Sequence, residues 1–173
     1  VIAILFGGCS TEYEVSLQSA YSVITHLNQE KYEAHLVGIT REGTWLCYEG
    51  DIDRIPDDTW ASADCLPAML SPNRTDHGLL IMRTGGMELI RLDAVFPVLH
   101  GKNGEDGTVQ GLCELAGLPV VGCGMEASVL GMDKHLAHTL ASLDGIEVPN
   151  SVLLRRMPTE TEQFSMTEHL HYP

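Results

Sequence analysis

The chain opens with a short apolar run, Val1–Phe6, that stops at Gly7-Gly8, and this feature constrains its fold more than any other. Such a run, closed by a glycine turn, is typical of a strand buried in a parallel sheet. The pattern over 12–28 predicts a helix, because apolar side chains recur at helical spacing at Leu17, Ala20, Ile24 and Leu27. Alternation over 32–40 predicts a second strand. Strand, helix and strand in succession predict a βαβ unit with parallel strands and a right-handed crossover.

Residues 41–92 predict an insertion of antiparallel hairpins. Its strands are expected at 44–48, 79–83 and 87–92. Between the first two of these, residues 49–76 mix acidic, proline and small polar residues, which predicts a loop with little regular structure. We expect the insertion to be a surface embellishment of an α/β core.

Regular α/β patterning returns at Asp93. A buried strand is predicted at 94–99, followed by a helix at 108–116 that ends at Gly117. Further strands are predicted at 119–121 and 151–156, and further helices from about 126, at 133–143 with Asp133 as N-cap, and at 159–170. The predicted fold class is α/β, with a central parallel sheet, helices on both faces and antiparallel hairpins on one edge.

Charge and cysteine content argue against several classes of function. The chain has 10 Lys and Arg against 24 Asp and Glu, a formal net charge of −14. This balance disfavours general binding of nucleic acids or anionic membranes. No apolar run approaches the ~20 residues of a membrane-spanning helix. The five cysteines form no Cys-x-x-Cys pair, so reduced thiols and a cytoplasmic location are expected.

The first candidate site is the corner at the end of the first strand, Phe6–Glu14. A strand, a glycine turn and a helix N-terminus form an amide-lined corner at the carboxyl edge of a sheet, where α/β proteins bind ligands. A structural alternative is a tight turn and a capped helix, because Thr11-Glu12-Tyr13-Glu14 fits the Ser/Thr-x-x-Glu capping box. That box accounts for Glu14 but not for Glu12, whose carboxylate could face the crevice and pair with a substrate ammonium.

The second candidate site is the loop after the strand at 94–99, His100–Gly107. This loop contains three glycines, two acidic residues, a lysine and a histidine. A loop that only connects a strand to a helix does not need so many functional side chains. His100 could donate to a carboxylate or an oxyanion, and Glu105 could orient His100 or an amine. Alternatively, the segment is a polar turn in which Asp106-Gly107 supplies a left-handed residue and Thr108 caps the next helix.

The third candidate is Lys134, near the start of a predicted helix, whose ammonium would be functional if it reached a nucleotide phosphate. The nearby His135 and His138 lack the cysteine or carboxylate partners of a closed zinc site. No metal site is therefore predicted in this chain.

Three blocks of the sequence, in this order, resemble the signature blocks of the D-alanine–D-alanine ligases, a family of ATP-grasp enzymes. They are GGCSTEYEVSLQSA, FPVLHGKNGEDGTVQGLCELAGLPVVG and ASVLGMDK. The residues of the first two blocks, together with the hairpin insertion, are most similar to the vancomycin-resistance branch of the family, especially the D-alanine–D-serine ligases. By this resemblance, residues 1–124 are a substrate-binding domain of Rossmann-like shape. The resemblance further implies that residues 125–173 are the beginning, truncated, of the central ATP-grasp domain.

The resemblance implies a role for each candidate residue. Glu12 matches the glutamate that holds the ammonium of the first D-alanine. His100 matches a histidine near the substrates, and Glu105 matches an acidic residue that helps to order its loop. Lys134 matches a lysine that reaches the ATP phosphates. The backbone would approach the substrates at three glycines, Gly7, Gly8 and Gly101.

The resemblance also implies a reaction in peptidoglycan precursor synthesis. ATP phosphorylates the carboxylate of a first D-alanine, and the amine of a second D-alanine or D-serine attacks the acylphosphate. ATP and Mg²⁺ are the expected cofactors, with the Mg²⁺ ligands outside this chain, and a homodimer is the expected assembly. This chain alone is expected to be inactive. Two other hypotheses stay open: a different ATP-grasp carboxylate–amine ligase, and a non-catalytic α/β binding module.

Overall fold

The computed structural model describes residues 1–62, 64–159, 162 and 170, in two compact units, Val1–Val129 and Leu130–Pro173. The strands are β1 (Ile2–Gly7), β2 (Ala34–Ile39), β3 (Trp45–Tyr48), β4 (Cys65–Leu70), β5 (Gly78–Arg83), β6 (Gly86–Arg91) and β7 (Ala94–Pro97). The helices are α1 (Tyr13–Thr25), α2 (Thr108–Ala116), α3 (Met125–Met132) and α4 (Lys134–Leu143), with 3₁₀ turns at Ile52–Arg54 and Trp60–Ser62. Among the described residues, none of the helices has the length and apolar content needed to cross a bilayer.

The strands form one seven-stranded sheet in the order β6-β5-β4-β3-β2-β1-β7. β1 lies between β2 and β7 and pairs in parallel with both. All the other neighbouring pairs are antiparallel. The predicted α/β class, the βαβ unit and the antiparallel hairpins on one edge are confirmed. Because these hairpins continue the sheet beyond β2, the sheet as a whole is mixed.

The loop predicted over 49–76 is wrong where β4 forms. The first half of β4 pairs with β3 and its second half with β5. Pro67 lies at this change of partner, opposite Leu46. Because proline cannot donate to a ladder, its presence masks the strand pattern in the sequence.

Two later predictions also change. The strand predicted at 151–156 is wrong: these residues have no regular structure, and all but Val152 are exposed, with no neighbouring strand among the described residues. The strand at 119–121 reduces to a single parallel bridge between Val120 and Val95. The helix at 159–170 lies mostly outside the described residues. By contrast, Asp133 caps α4 as predicted, accepting the N–H groups of His135 and Leu136.

The start of α1 differs from the predicted capping box. Glu12 is the N-cap residue, and within the described residues no side chain caps the helix. Glu14 instead accepts a 2.7 Å hydrogen bond from Arg41, which lowers the pKa of its carboxyl. Because Arg41 holds this carboxylate, Glu14 does not fold back on the helix start, and the capping-box prediction is wrong.

The sheet separates two apolar cores. One lies between the sheet and α1, and the other lies between the sheet and α2. Along β1, Ala3 and Leu5 face the core that contains α2, and Ile4 and Phe6 face the core that contains α1. This alternation follows from the two-residue period of a strand. The predicted helices on both faces of the sheet are confirmed.

A buried hydrogen-bond chain ties the second 3₁₀ turn to α1. Trp60 is fully buried, and its indole N–H donates to the Tyr13 hydroxyl at 3.1 Å. That hydroxyl donates in turn to Asp58 at 2.7 Å. Burial, and then the bond to Asp58, raise the pKa of the Tyr13 phenol, so it remains a protonated donor at neutral pH.

Tyr13→Phe is therefore expected to lower the free energy of unfolding by about 1–3 kcal/mol, because the buried indole N–H loses its acceptor. Urea unfolding followed by tryptophan fluorescence measures this loss, since both tryptophans lie in the first unit. Tyr21→Phe is the matched control, because its hydroxyl bonds to Asp53 at the surface. We expect the control to change stability by less than about 0.5 kcal/mol; equal losses in the two variants would contradict a role for burial.

Candidate functional site

Two of the predicted loops meet at one edge of the sheet. β1 and β7 are parallel neighbours, so the loops that follow them, 8–12 and 98–107, leave the same carboxyl edge. Such edges are where open α/β sheets bind ligands. We call the space between these loops, bounded by Glu12, His100 and Gly101, the β1–β7 crevice.

The Glu12 carboxylate lies against the backbone of Gly101. A Cβ atom at position 101 would stand 2.2 Å from Glu12 Oε2 and 2.9 Å from Ser10 Oγ. Gly101 also has φ +68°, in the left-handed region. Glycine is thus favoured by the backbone conformation, and a side chain at position 101 would also displace the Glu12 carboxylate from its present place. Glu12 is exposed, and no basic side chain in the described part of the chain pairs with it.

The glycine corner after β1 is built against β2. Gly7 has φ +83°, and a Cβ atom there would lie 2.3 Å from the carbonyl oxygen of Ile39. The Gly8 N–H donates to that same carbonyl at 2.8 Å. At Gly8 a Cβ atom would meet only Leu99, at 3.6 Å. The corner therefore depends on close packing at Gly7 much more than at Gly8.

Two acidic residues order the loop after β7 from within. Glu105 accepts the N–H of Gly101 at 2.7 Å, so it holds the backbone beside Glu12, and its bond is not to His100. Asp106 accepts the N–H groups of Asn103 and Thr108. Partial burial alone would raise the pKa of Asp106, but these backbone bonds lower it. Gly107, at φ +90°, is the N-cap residue of α2, so the cap predicted at Thr108 is wrong.

Two serines of α1 reach this edge, and sequence analysis missed both. Ser19 Oγ lies 3.0 Å from Nε2 of His100. Ser16, fully buried, accepts the N–H of Gly7 at 2.9 Å and donates to the carbonyl of Val98. The sequence does contain a signal for them. They are two serines three residues apart, next to the apolar residues that form the buried face of the predicted helix.

A cavity of about 230 Å³ lies beside the two loops. Its lining includes His100 but neither Glu12 nor Glu105. The apolar part of its wall is formed by Ile39, Trp45, Leu99 and Val109.

Lys134 lies outside the first unit. It is the first residue of α4, exposed, and belongs to the second unit. An exposed ammonium of this kind can pair with a phosphate. No group of three His, Cys, Asp or Glu side chains suited to a metal ion occurs in the described ranges. The structure thus brings together Glu12, His100, Glu105 and three glycines, with Lys134 in a separate unit.

The chain is similar to a known protein family and to named relatives. The family described as D-ala D-ala ligase N-terminus matches residues 1–123. The vancomycin B-type resistance protein VanB of Enterococcus faecalis is 47% identical over 156 residues, 90% of this chain and 44% of that protein. A D-alanine–D-alanine ligase of Caldicellulosiruptor bescii is 50% identical over 147 residues, 84% of this chain and 39% of that protein.

A solved structure agrees with these relatives. The VanG D-Ala:D-Ser ligase of Enterococcus faecalis superposes with a TM-score of 0.85 at 48% identity, covering 99% of this chain and 50% of that one. The chain thus spans about half the length of the proteins it matches. With a family match over 123 of its 173 residues and this structural likeness, the chain belongs to the D-alanine–D-alanine ligase family.

Proposed function

We propose that the whole protein is an ATP-dependent ligase that joins D-alanine to D-alanine or D-serine, and that this chain binds the first D-alanine. The observation that carries the proposal is the Glu12 carboxylate, free of a basic partner among the described residues, set against Gly101 in the β1–β7 crevice. The names of the relatives support it, because they include D-alanine–D-alanine, putative D-alanine–D-lactate and D-Ala:D-Ser ligases. These names share D-alanine and differ only in the second substrate.

Glu12 has the chemistry of an ammonium anchor. A carboxylate paired with an ammonium forms charge-assisted hydrogen bonds, which are shorter and stronger than neutral ones. Its position beside Gly101 keeps the anchor at the crevice between the two loops, because position 101 has no side chain to fill that space. The first D-alanine would then bind with its amine on Glu12.

His100 and Glu105 have different parts in this proposal. The half-buried His100 ring is held through Nε2 by Ser19, which leaves Nδ1 available to the substrate carboxylate or to an oxyanion. Glu105 touches backbone instead, at the N–H of Gly101. We therefore assign Glu105 as a positioning residue that keeps Gly101 close to Glu12.

ATP, when bound, supplies the phosphoryl group that activates the carboxylate of the first D-alanine. Of this chain's residues, Lys134 would contact a phosphate, since its ammonium is exposed at the first turn of α4. The Mg²⁺ ligands are expected elsewhere in the whole protein. Small-molecule substrates also suit the formal charge of −14, which disfavours nucleic acid and anionic membrane partners. A homodimer in the cytoplasm completes the proposal.

The test is ADP release by the whole protein with ATP and Mg²⁺. We expect D-alanine to stimulate release and L-alanine not to, with the dipeptide product identified by mass spectrometry. D-alanine together with D-serine should be compared with D-alanine alone; a mixed dipeptide as the main product would indicate the vancomycin-resistance branch. The 173-residue chain by itself is expected to release no ADP. A folded whole protein that no D-amino acid stimulates would overturn the D-alanine proposal.

A further inference from the structure

The hydrogen-bond ladder between β1 and β7 is interrupted where the two strands reach the crevice. Leu5 is the register partner of Pro97, and the Val98 N–H donates to the Leu5 carbonyl at 2.8 Å. In a parallel ladder the next bond runs from the N–H of Gly7 to the carbonyl of Val98. Instead, the Gly7 N–H donates to Ser16 Oγ, and Ser16 donates to Val98.

A helix side chain is thus inserted into the sheet. Two hydrogen bonds in series replace one direct bond, so the strands separate at this point. Ser16 is fully buried, and its hydroxyl uses both its donor and one acceptor on these two backbone groups. The separation begins at Gly7 and Val98, next to the loops that carry Glu12 and His100. The insertion therefore sets the spacing of the two loops at the entrance to the β1–β7 crevice.

Ser19 acts on the same edge from the next turn of α1. Residues three apart on a helix lie on one face, so Ser16 and Ser19 both point to the ends of β1 and β7. Ser16 reaches Val98, and Ser19 reaches His100 two residues further along. α1 is thereby joined to both walls of the crevice through two hydroxyl groups.

We propose that Ser16 and Ser19 are positioning residues for the ligase reaction. Ser16 holds the ends of β1 and β7 apart so that the β1–β7 crevice admits the first D-alanine, and Ser19 fixes the orientation of the His100 ring. The kinetic part of this inference rests on the proposed function, whereas its structural part does not. A merely structural Ser16 would instead contribute only its two hydrogen bonds to stability.

The structural part is tested without turnover. In a crystal structure of the whole protein carrying Ser16→Ala, the Gly7 N–H and the Val98 carbonyl should close to a direct hydrogen bond of about 2.9 Å. Because this bond replaces the two that are lost, we expect little loss of stability. Strands that stay apart in the variant would contradict the role given to Ser16.

For Ser19, the readout is the orientation of the His100 ring in crystal structures of the whole protein. The ring should keep its orientation in Ser19→Thr, which keeps the hydroxyl, and should turn or occupy several orientations in Ser19→Ala, because Nε2 loses its partner. Ser22→Ala is the matched control, because Ser22 is exposed on the next turn of α1. An unchanged ring orientation in Ser19→Ala would overturn the role of Ser19, and this holds even if Ser16→Ala fails to fold.

The kinetic part uses ADP release at varied D-alanine concentration. Ser16→Ala is expected to lower kcat/KM for D-alanine about 100-fold, the effect of a misplacement of about 1 Å, with KM for ATP unchanged. Ser19→Ala should lower kcat about tenfold, the effect of one hydrogen bond, with recovery in Ser19→Thr. Wild-type kinetics in both alanine variants would refute the inference. A wild type without D-alanine turnover would refute the proposed function instead, and leave the structural tests standing.

Discussion

Glu12→Gln is expected to lower kcat/KM for D-alanine in the whole enzyme by about 100-fold, equivalent to about 2.7 kcal/mol of transition-state binding. Glutamine keeps the size and shape of glutamate but removes the charge that would pair with an ammonium. It also presents an NH₂ group, a donor, where the substrate brings further donors. The measurement is ADP release at saturating ATP and varied D-alanine concentration.

Glu14→Gln is the matched control, because it makes the same chemical change two residues away. Glu14 is exposed and pairs with Arg41 at the surface, and such pairs contribute about 0–1 kcal/mol. We expect its kcat/KM to stay within about twofold of the wild type. If both variants kept full activity, Glu12 would not be the ammonium anchor. The segment would then be a glycine turn and a helix start, as the structural alternative holds.

The elements that could be predicted from sequence are those fixed by local patterns. α2 forms over Thr108–Ala116 as expected and ends at Gly117, whose φ of +75° is the left-handed conformation of a helix C-terminus. An apolar run predicts β1, the helical spacing of apolar side chains predicts α1, and the alternation of side chains predicts β2. The information for such elements lies within a few residues of the chain, so a single sequence contains it.

Elements that depend on distant partners were missed or misjudged. β4 exists because β3 and β5 each pair with half of it, and nothing local marks those halves. β7 stops at Pro97, although a strand was predicted to continue to 99, and Ser16 of α1 intercepts its next ladder bond. The predicted capping box at α1 does not form for a similar reason, because Glu14 instead accepts a hydrogen bond from Arg41, which is 27 residues away in the sequence.

The residues of the candidate site also fall into two groups, those that local patterns could predict and those that depend on distant contacts. Glu12, His100 and Glu105 could be singled out because they lie in the loops that follow two predicted strands, and parallel neighbours bring such loops together. That Glu105 contacts the backbone of Gly101 could not be predicted, since it depends on how the loop folds back on itself. Ser16 and Ser19 were missed because a serine within an apolar helix stripe disturbs the periodicity too little to indicate a contact with another strand.

Gly7→Ala is expected to have the largest effect on stability, lowering the free energy of unfolding of the first unit by about 2–6 kcal/mol. A left-handed backbone at a residue with a side chain costs about 1–3 kcal/mol, and overpacking adds about 1–3 kcal/mol. The clash is with the Ile39 carbonyl, 2.3 Å from the added Cβ. That oxygen is backbone within the sheet and also accepts the Gly8 N–H, so it cannot rotate away as a side chain would.

Gly43→Ala separates these two contributions. Gly43 has φ +88°, close to the +83° of Gly7, but a Cβ atom there would have nothing within 4 Å. Its expected loss is therefore the backbone cost alone, about 1–3 kcal/mol. Urea unfolding followed by tryptophan fluorescence compares the two variants, because Trp45 and Trp60 both lie in the first unit. Equal losses would show that β2 yields at Ile39, and that close packing against the sheet does not hold the glycine corner beside Glu12 in place.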